Sequence, residues 1–236
     1  MKLTDRVAEL RRIQKVMSAC ERCALHVNRN RVCLGGRGLS SPADHRIVLV
    51  VDRQTPEEIS EGHFGYGSND DVLRQLFQLL ELDHSTFWLT SPVVCPTMPK
   101  NMIGEFGFEL CPLPKKDEVL ACRDRLHREI YLVDPMVVVA FGKLAFDALS
   151  LRPTDHSGNF GIMTDVLIGG RLAPYPVAVM PTHSLSALAR NPDMSIGGGW
   201  HQTFEHLQMV WNVVEELTQD GANDEADETC GAQGNH

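Results

Sequence analysis

Two long apolar features are missing from this chain of 236 residues. No run approaches the roughly 18 consecutive apolar residues that a membrane-spanning helix needs. The opening stretch, Met1 to Cys20, is charged and helix-periodic, unlike a secretory signal peptide. A soluble, cytoplasmic protein without a membrane partner is therefore expected. Basic residues are missing at the other end. From Glu215 onward there are seven acidic side chains (Glu215, Glu216, Asp220, Asp224, Glu225, Asp227 and Glu228) and no Lys or Arg. Taking those seven from the 31 acids leaves 24 against 22 bases, so most of the net charge of −9 belongs to the tail. A nearly neutral body is compatible with a local basic groove. The polar tail, 218–236, is expected to be disordered beyond a single domain over 1–217. No internal repeat is present.

What is there begins with 43% hydrophobic residues, enough for one sizeable core. Val7, Leu10, Ile13 and Val16 predict a helix over 4–18 behind a Thr4 cap. Ile47 to Val51 is a continuous β-branched and aliphatic run, as in a strand buried on both faces. A helix over 70–82 and a second strand over 86–90 follow. An irregular stretch, Pro96 to Pro114, is rich in Gly, Pro and Phe. Further on come a helix over 117–133, strands over 136–141 and 176–180, a helix opening at Gly142 and Lys143, and a last helix over 200–217. This alternation predicts a three-layer α/β/α fold around a central four-stranded parallel sheet.

Ligands of such sheets sit beyond the C-terminal ends of the strands. Asp52, Arg53 and Gln54 follow the first strand, Ser91 the second, and Thr182, His183 and Ser184 the fourth. A carboxylate, a hydroxyl and an imidazole thus converge on one edge. Seven cysteines (Cys20, Cys23, Cys33, Cys95, Cys111, Cys122 and Cys230) point to metal or cluster binding more than to disulfides in a cytoplasmic chain.

In order along the chain, several segments resemble the iron–sulfur, family 4 type of uracil-DNA glycosylase. These are the CxxC of Cys20 and Cys23, Arg29 to Gly38, Val50 to Glu58, Gly62 to Ser68, Thr90 to Cys95, Glu118 to Ala145 and Pro181 to Pro192. The resemblance spans roughly residues 15–215. It implies a [4Fe–4S] cluster on Cys20, Cys23, Cys95 and Cys122, since four thiolates satisfy such a cluster. Structural zinc is the alternative. Cys111 is a rival fourth ligand by spacing, and Cys122 is preferred because its flanking helix matches. Cys33 and Cys230 are expected to stay unligated.

The resemblance also implies a DNA partner, a monomer, and a site for cutting an N-glycosidic bond. Phe64 would stack on the extruded base, His183 would donate toward the base's O2, and Asp52 would favour the cationic sugar and orient water. Arg53, Gln54 and Ser91 would contact the base. Ser184, Leu188 and Arg190 would contact DNA, with Leu188 as a wedge and Arg190 on phosphate. Each has a plainer reading: loop packing for Phe64, a turn for Asp52, helix capping around His183, and a short amphipathic helix over 185–190. No Lys accompanies Asp52, Ser91 or His183 at the strand ends, so a Schiff-base lyase step is not expected. A self-crosslinking branch of the superfamily uses a His in the insert, and residues 96–121 contain none.

The departures from the family pattern direct the choice of substrate. Ser91 stands where the family has a base-reading Asn, Arg53 where it has a small residue, Asp52 where it has Glu, and Ser184 where it has Pro. One hydroxyl cannot replace an amide's paired donor and acceptor. The expectation is a monofunctional glycosylase for a bulky modified pyrimidine, for example glucosylated hydroxymethylcytosine in phage DNA, with Met102, Phe106 and Phe108 lining an enlarged pocket. Uracil removal in base-excision repair and a non-catalytic DNA-binding module are the alternatives.

Overall fold

The computed structural model describes residues 2–28, 46–62, 64–82, 87–97, 111–152, 155–169 and 173–231, with side chains described as far as 219. Five strands form one sheet: β1 (Ile47–Val51), β2 (Phe87–Thr90), β3 (Val137–Phe141), β4 (Thr164–Ile168) and β5 (Tyr175–Thr182), in the order β2-β1-β3-β5-β4. The first four in that order are parallel, with Leu49 of β1 aligned to Leu89 of β2 and Val139 of β3. β1, β2 and β3 are buried at every position, which is why their sequences run apolar without alternating.

Successive residues of these strands face opposite sides and build two cores. Val48, Val50, Val138, Ala140 and Val179 pack with α1 (Leu3–Ser18), α4 (Lys116–Val133) and α5 (Lys143–Leu149). Ile47, Leu49, Val51, Val137, Val139, Phe141 and Met180 pack with α3 (Gly67–Leu79), α7 (Leu185–Arg190) and α8 (Gly199–Gly231). Burying each such Val, Leu or Phe contributes roughly 1.5–3 kcal/mol. The three-layer α/β/α arrangement and its four parallel strands match the sequence-based expectation.

Four details correct it. β4 is a fifth strand, antiparallel to β5 at the sheet edge. Only Val166 and Ile168 are buried in it, so it lacks the continuous apolar run that marks the others. α1 starts at Leu3 with Lys2 as its uncapped N-terminus, so Thr4 lies inside the helix. The stretch after Asp52 contains a further helix, α2 (Pro56–Glu61), closed by a capping box in which Thr55 and Glu58 exchange side-chain-to-backbone bonds. α8 runs to Gly231, past Leu217 where the disordered tail was expected to begin. No proline interrupts that stretch, so its backbone groups continue to pair within the helix.

Candidate active site at the strand ends

Gly142 is the joint of the site. It ends β3 with a φ of 95°, a conformation that side chains other than glycine's rarely adopt. A Cβ there would lie 2.9 Å from Ser184 Cβ and 3.0 Å from Asp52 Oδ2. Its N–H donates to Thr182 O at 3.0 Å. The ends of β1, β3 and β5 are therefore in contact, and Asp52 and Ser184 meet across a residue with no side chain, with His183 next to Ser184 in the chain. The sequence reading passed over Gly142 except as the start of a helix; a glycine directly after a buried strand is the signal that was available.

Asp52 is 6% exposed. Burial raises its pKa to about 6, opposed by Arg53, by backbone donors and by Arg190. Arg53 Nε stands 3.8 Å from Asp52 Oδ1, and Arg53 Nη1 donates to Cys111 O at 3.2 Å, joining the end of β1 to the end of the insert. Gln54 Nε2 and Ser91 Oγ both donate to Val93 O, at 3.1 and 2.6 Å. The Ser91 hydroxyl proton is thus already used within the protein.

His183 is half-buried beyond β5. Its Nε2 is 2.7 Å from Gln202 Oε1 on α8, and its ring meets Phe160 edge-on at 4.7 Å. An amide oxygen accepts, so this contact holds a proton on Nε2. Phe160 also meets His206 at 5.4 Å, and His206 Nδ1 is 2.9 Å from Thr182 Oγ1. Burial holds the His206 pKa below the ordinary histidine value. Phe160, Gln202 and His206 belong to the surroundings of His183 and were not found from sequence: Phe160 lies outside every predicted element, and within the last predicted helix nothing marked Gln202 and His206 as facing the strand end.

Two expected DNA contacts are corrected. Leu188 is 2% exposed and packs in the core beside Trp200, whose Nε1 donates to Leu188 O at 3.0 Å. In a helix as short as α7, Leu185 and Leu188 share the inner face by their i,i+3 spacing, so neither is a protruding wedge. Phe64 is wholly buried in the same core, and the following Gly65 N–H is held by Glu58 Oε1 at 3.3 Å. Neither face of its ring is open to a base. Ser184 caps α7 by accepting from Ala187 N at 3.3 Å, and Arg190 at the other end of α7 is exposed. Lys143 follows Gly142, yet its ammonium pairs with Asp147 at 2.6 Å, one turn along α5.

The cysteines separate into two places. Cys95 and Cys122 are buried in the core beneath α1 and α4, with Cys20 and Cys23 packed against it. Burial first, and then the neighbouring thiols, push Cys23 and Cys122 above the ordinary thiol value. Arg22 Nη1 donates to Ala121 O at 3.3 Å and Asn28 Nδ2 to Pro96 O at 3.2 Å, tying the CxxC loop to the segments that carry Cys122 and Cys95. Cys111 instead sits with Arg53, Glu57 and Glu58, its pKa pushed up to about 12 by burial. Four soft thiols in or against one core suit an iron–sulfur group, and Cys111 is not among them. Among the described residues no three His, Cys, Asp or Glu side chains are grouped as a single metal ion requires. Cys33 and the insert residues Met102, Phe106 and Phe108 lie outside the described residues, and the Cys230 side chain lies beyond those described.

Four parallel strands that end in a buried carboxylate after β1 and an imidazole after β5, on one edge of the sheet, have the layout of an α/β enzyme site. Residues 40–215 match the uracil DNA glycosylase superfamily. Three relatives, each a type-4 uracil-DNA glycosylase, align over most of their length. The one from Thermotoga maritima is 27% identical over 183 residues, 76% of this chain and 82% of the relative. That from Sulfurisphaera tokodaii is 24% identical over 189 residues, 78% of each. That from Pyrobaculum aerophilum is 21% identical over 184 residues, 78% of this chain and 86% of the relative. The chain belongs to the uracil DNA glycosylase superfamily and is a DNA glycosylase. Among the described residues no helix is long and apolar enough to cross a membrane.

Proposed function

We propose that this glycosylase is monofunctional and removes a bulky modified pyrimidine, such as glucosylated hydroxymethylcytosine, in defence against phage. The observation that carries the reading is Ser91, whose hydroxyl donates to Val93 O at 2.6 Å in place of an amide aimed at a base. A site that reads uracil through paired hydrogen bonds loses selectivity by orders of magnitude without them. Uracil removal is the second reading, favoured by the relatives, all of which are uracil-DNA glycosylases.

The chemistry assigns His183 as donor. Its Nε2 proton, directed at Gln202 Oε1 in the free chain, passes to an interaction with O2 of the departing base, where negative charge develops. Asp52, as carboxylate, stabilises the cationic sugar and orients the water that attacks C1′. Asp52 and His183, beyond the ends of β1 and β5, would thus serve the two ends of the breaking bond. Cys20, Cys23, Cys95 and Cys122 would hold a [4Fe–4S] cluster, which would clamp the loops that carry them.

The test is abasic-site cleavage on matched duplexes containing uracil, hydroxymethylcytosine or its glucosylated form. Release from the glucosylated DNA alone supports the proposal; release from uracil DNA alone overturns it. Ser91→Asn is expected to shift preference toward uracil by roughly tenfold or more, a fraction of what bidentate readout supplies elsewhere. Competition kinetics on mixed duplexes check this, and an unchanged ratio would remove Ser91 from base selection.

Asp52 adds a pH dependence. The carboxylate is the active form and its pKa is about 6, so release should rise with pH through that value and level off above it. Ionising a buried carboxyl also costs stability. With a folded pKa above the ordinary aspartate value of 3.8, stability falls as pH rises from about 4 to about 6. Asp52→Asn should therefore slow release while raising the urea midpoint at neutral pH. A variant that is slower without being more stable would contradict the assigned environment.

A further inference from the structure

We propose that Ile196 is the wedge that enters the DNA base stack as the target base leaves it. The inference rests on the chain acting as a base-flipping glycosylase, and it gives that role to a residue outside α7.

Ile196 is 91% exposed, and Met194 two residues earlier is 56% exposed. Both lie in the link between α7 and α8, and a β-branched side chain so fully in water contributes nothing to the core. The link is nevertheless built. Gly198 N donates to Ser195 O at 2.8 Å, closing a turn with Ile196 and Gly197 at its centre. Gly197 has φ 83°, as the third position of a type II turn demands. Asp193 Oδ1 accepts from Ser195 N at 3.0 Å, and a Cβ on Gly198 would lie 2.8 Å from Asp193 O. Ile196 is thus held at an apex, so little ordering remains to be done on binding.

The apex is tied to the catalytic edge. A Cβ on Gly199 would lie 3.7 Å from His183 Cδ2 and 3.3 Å from Leu188 Cδ2, so the base of the link rests on the histidine. Three Cα steps separate Gly199 from Ile196, at most about 11 Å of chain. The apex therefore stays within that span of the residue beside His183, where the flipped nucleotide would stand. Arg190, at the other end of the link, is exposed and close enough to Asp52 to lower its pKa, which places a cation for phosphate on the same edge. Apolar side chains inserted between base steps, flanked by Arg, are how proteins unstack DNA from the minor groove. Leu188, enclosed at 2% exposure, cannot serve.

The experiment compares wild type with Ile196→Ser and Ile196→Ala, neither of which removes a buried contact. Base release is followed under single-turnover conditions from duplex and single-stranded DNA carrying uracil or glucosylated hydroxymethylcytosine. 2-Aminopurine beside the target reports unstacking on binding. Release from duplex should slow by roughly tenfold or more and release from single strands by less than about twofold, because only the duplex has a stack to open. The 2-aminopurine rise seen with wild type should be lost in Ile196→Ser. Equal loss on both DNAs, or no loss on duplex, overturns the wedge. If wild type releases neither base, the substrate reading fails separately. The wedge is then decided by 2-aminopurine alone, where an unchanged signal in the variant, or no signal in wild type, overturns it.

Discussion

Replacing His183 by Ala is expected to slow base release by roughly 10²- to 10³-fold, the usual loss when a donor to a developing anion is removed. The His183 side chain lies at the edge of the fold. Among the described residues it makes one hydrogen bond to Gln202, meets the edge of Phe160 and lies beside Gly199, and the chain beneath it is fixed independently by Gly142 N to Thr182 O and by the Ser184 cap. Truncation therefore leaves the backbone in place, and urea unfolding should change by less than about 1 kcal/mol. Binding to an abasic product duplex should also persist, since the residue proposed to meet phosphate, Arg190, is a different side chain. A folded variant with unchanged single-turnover release would take His183 out of the mechanism. A variant that loses release and stability together would make it a structural residue that caps the strand end.

How far the sequence could be read depended on whether a residue's partners lie close by in the chain. β1 and β3 were legible because strands buried on both faces need an unbroken apolar run, and Ile47–Val51 and Val137–Phe141 supply one. β4 was not, since an edge strand buries only alternate residues, and Thr164–Ile168 offers two. The capping box of Thr55 and Glu58 was present as a local pattern, but its segment was read as part of a family motif instead of as a helix start. At the site, Asp52 and His183 were reached by a topological rule about strand ends. The environment of each depends on Gly142, marked only by its place after a buried strand, and on Gln202 and Phe160, which are distant in sequence and carry no pattern of their own. Leu188 and Phe64 show the converse error. A family position implied a surface role, whereas the spacing of Leu185 and Leu188, and the enclosure of Phe64 beside α3, put both into the core.

The largest effect on stability is expected at Arg125, which also escaped the sequence reading. It lies on α4 at 5% exposure and pairs with Glu129 one turn on. It donates to Thr90 Oγ1 at 2.9 Å, to Pro92 O at 3.1 Å and to Ser91 O. Glu129 in turn accepts from Trp88 Nε1 at 2.7 Å and from Thr90 Oγ1 at 3.1 Å. One guanidinium thus clasps the end of β2 and the turn after it, between Ser91 at the catalytic edge and Cys95 at the thiol cluster. Arg125→Met would leave a buried carboxylate without its cation and two carbonyls without their donors, at a cost of about 3–5 kcal/mol. That is a large share of a typical folding free energy of about 5–15 kcal/mol. Glu129→Gln retains one acceptor oxygen, enough for Trp88 Nε1 or for Thr90 Oγ1 but not for both, and leaves Arg125 its carbonyls, so it should cost less than Arg125→Met. Adding Glu129→Leu to Arg125→Met removes the stranded charge, but it also strands Trp88 Nε1, so it should recover only part of the loss. Urea unfolding of wild type, Arg125→Met, Glu129→Leu and the double variant measures the cycle, with Glu129→Gln alongside. A loss below about 1 kcal/mol in Arg125→Met would mean that the clasp is incidental and that the apolar packing of Val93 and Val94 alone fixes the turn.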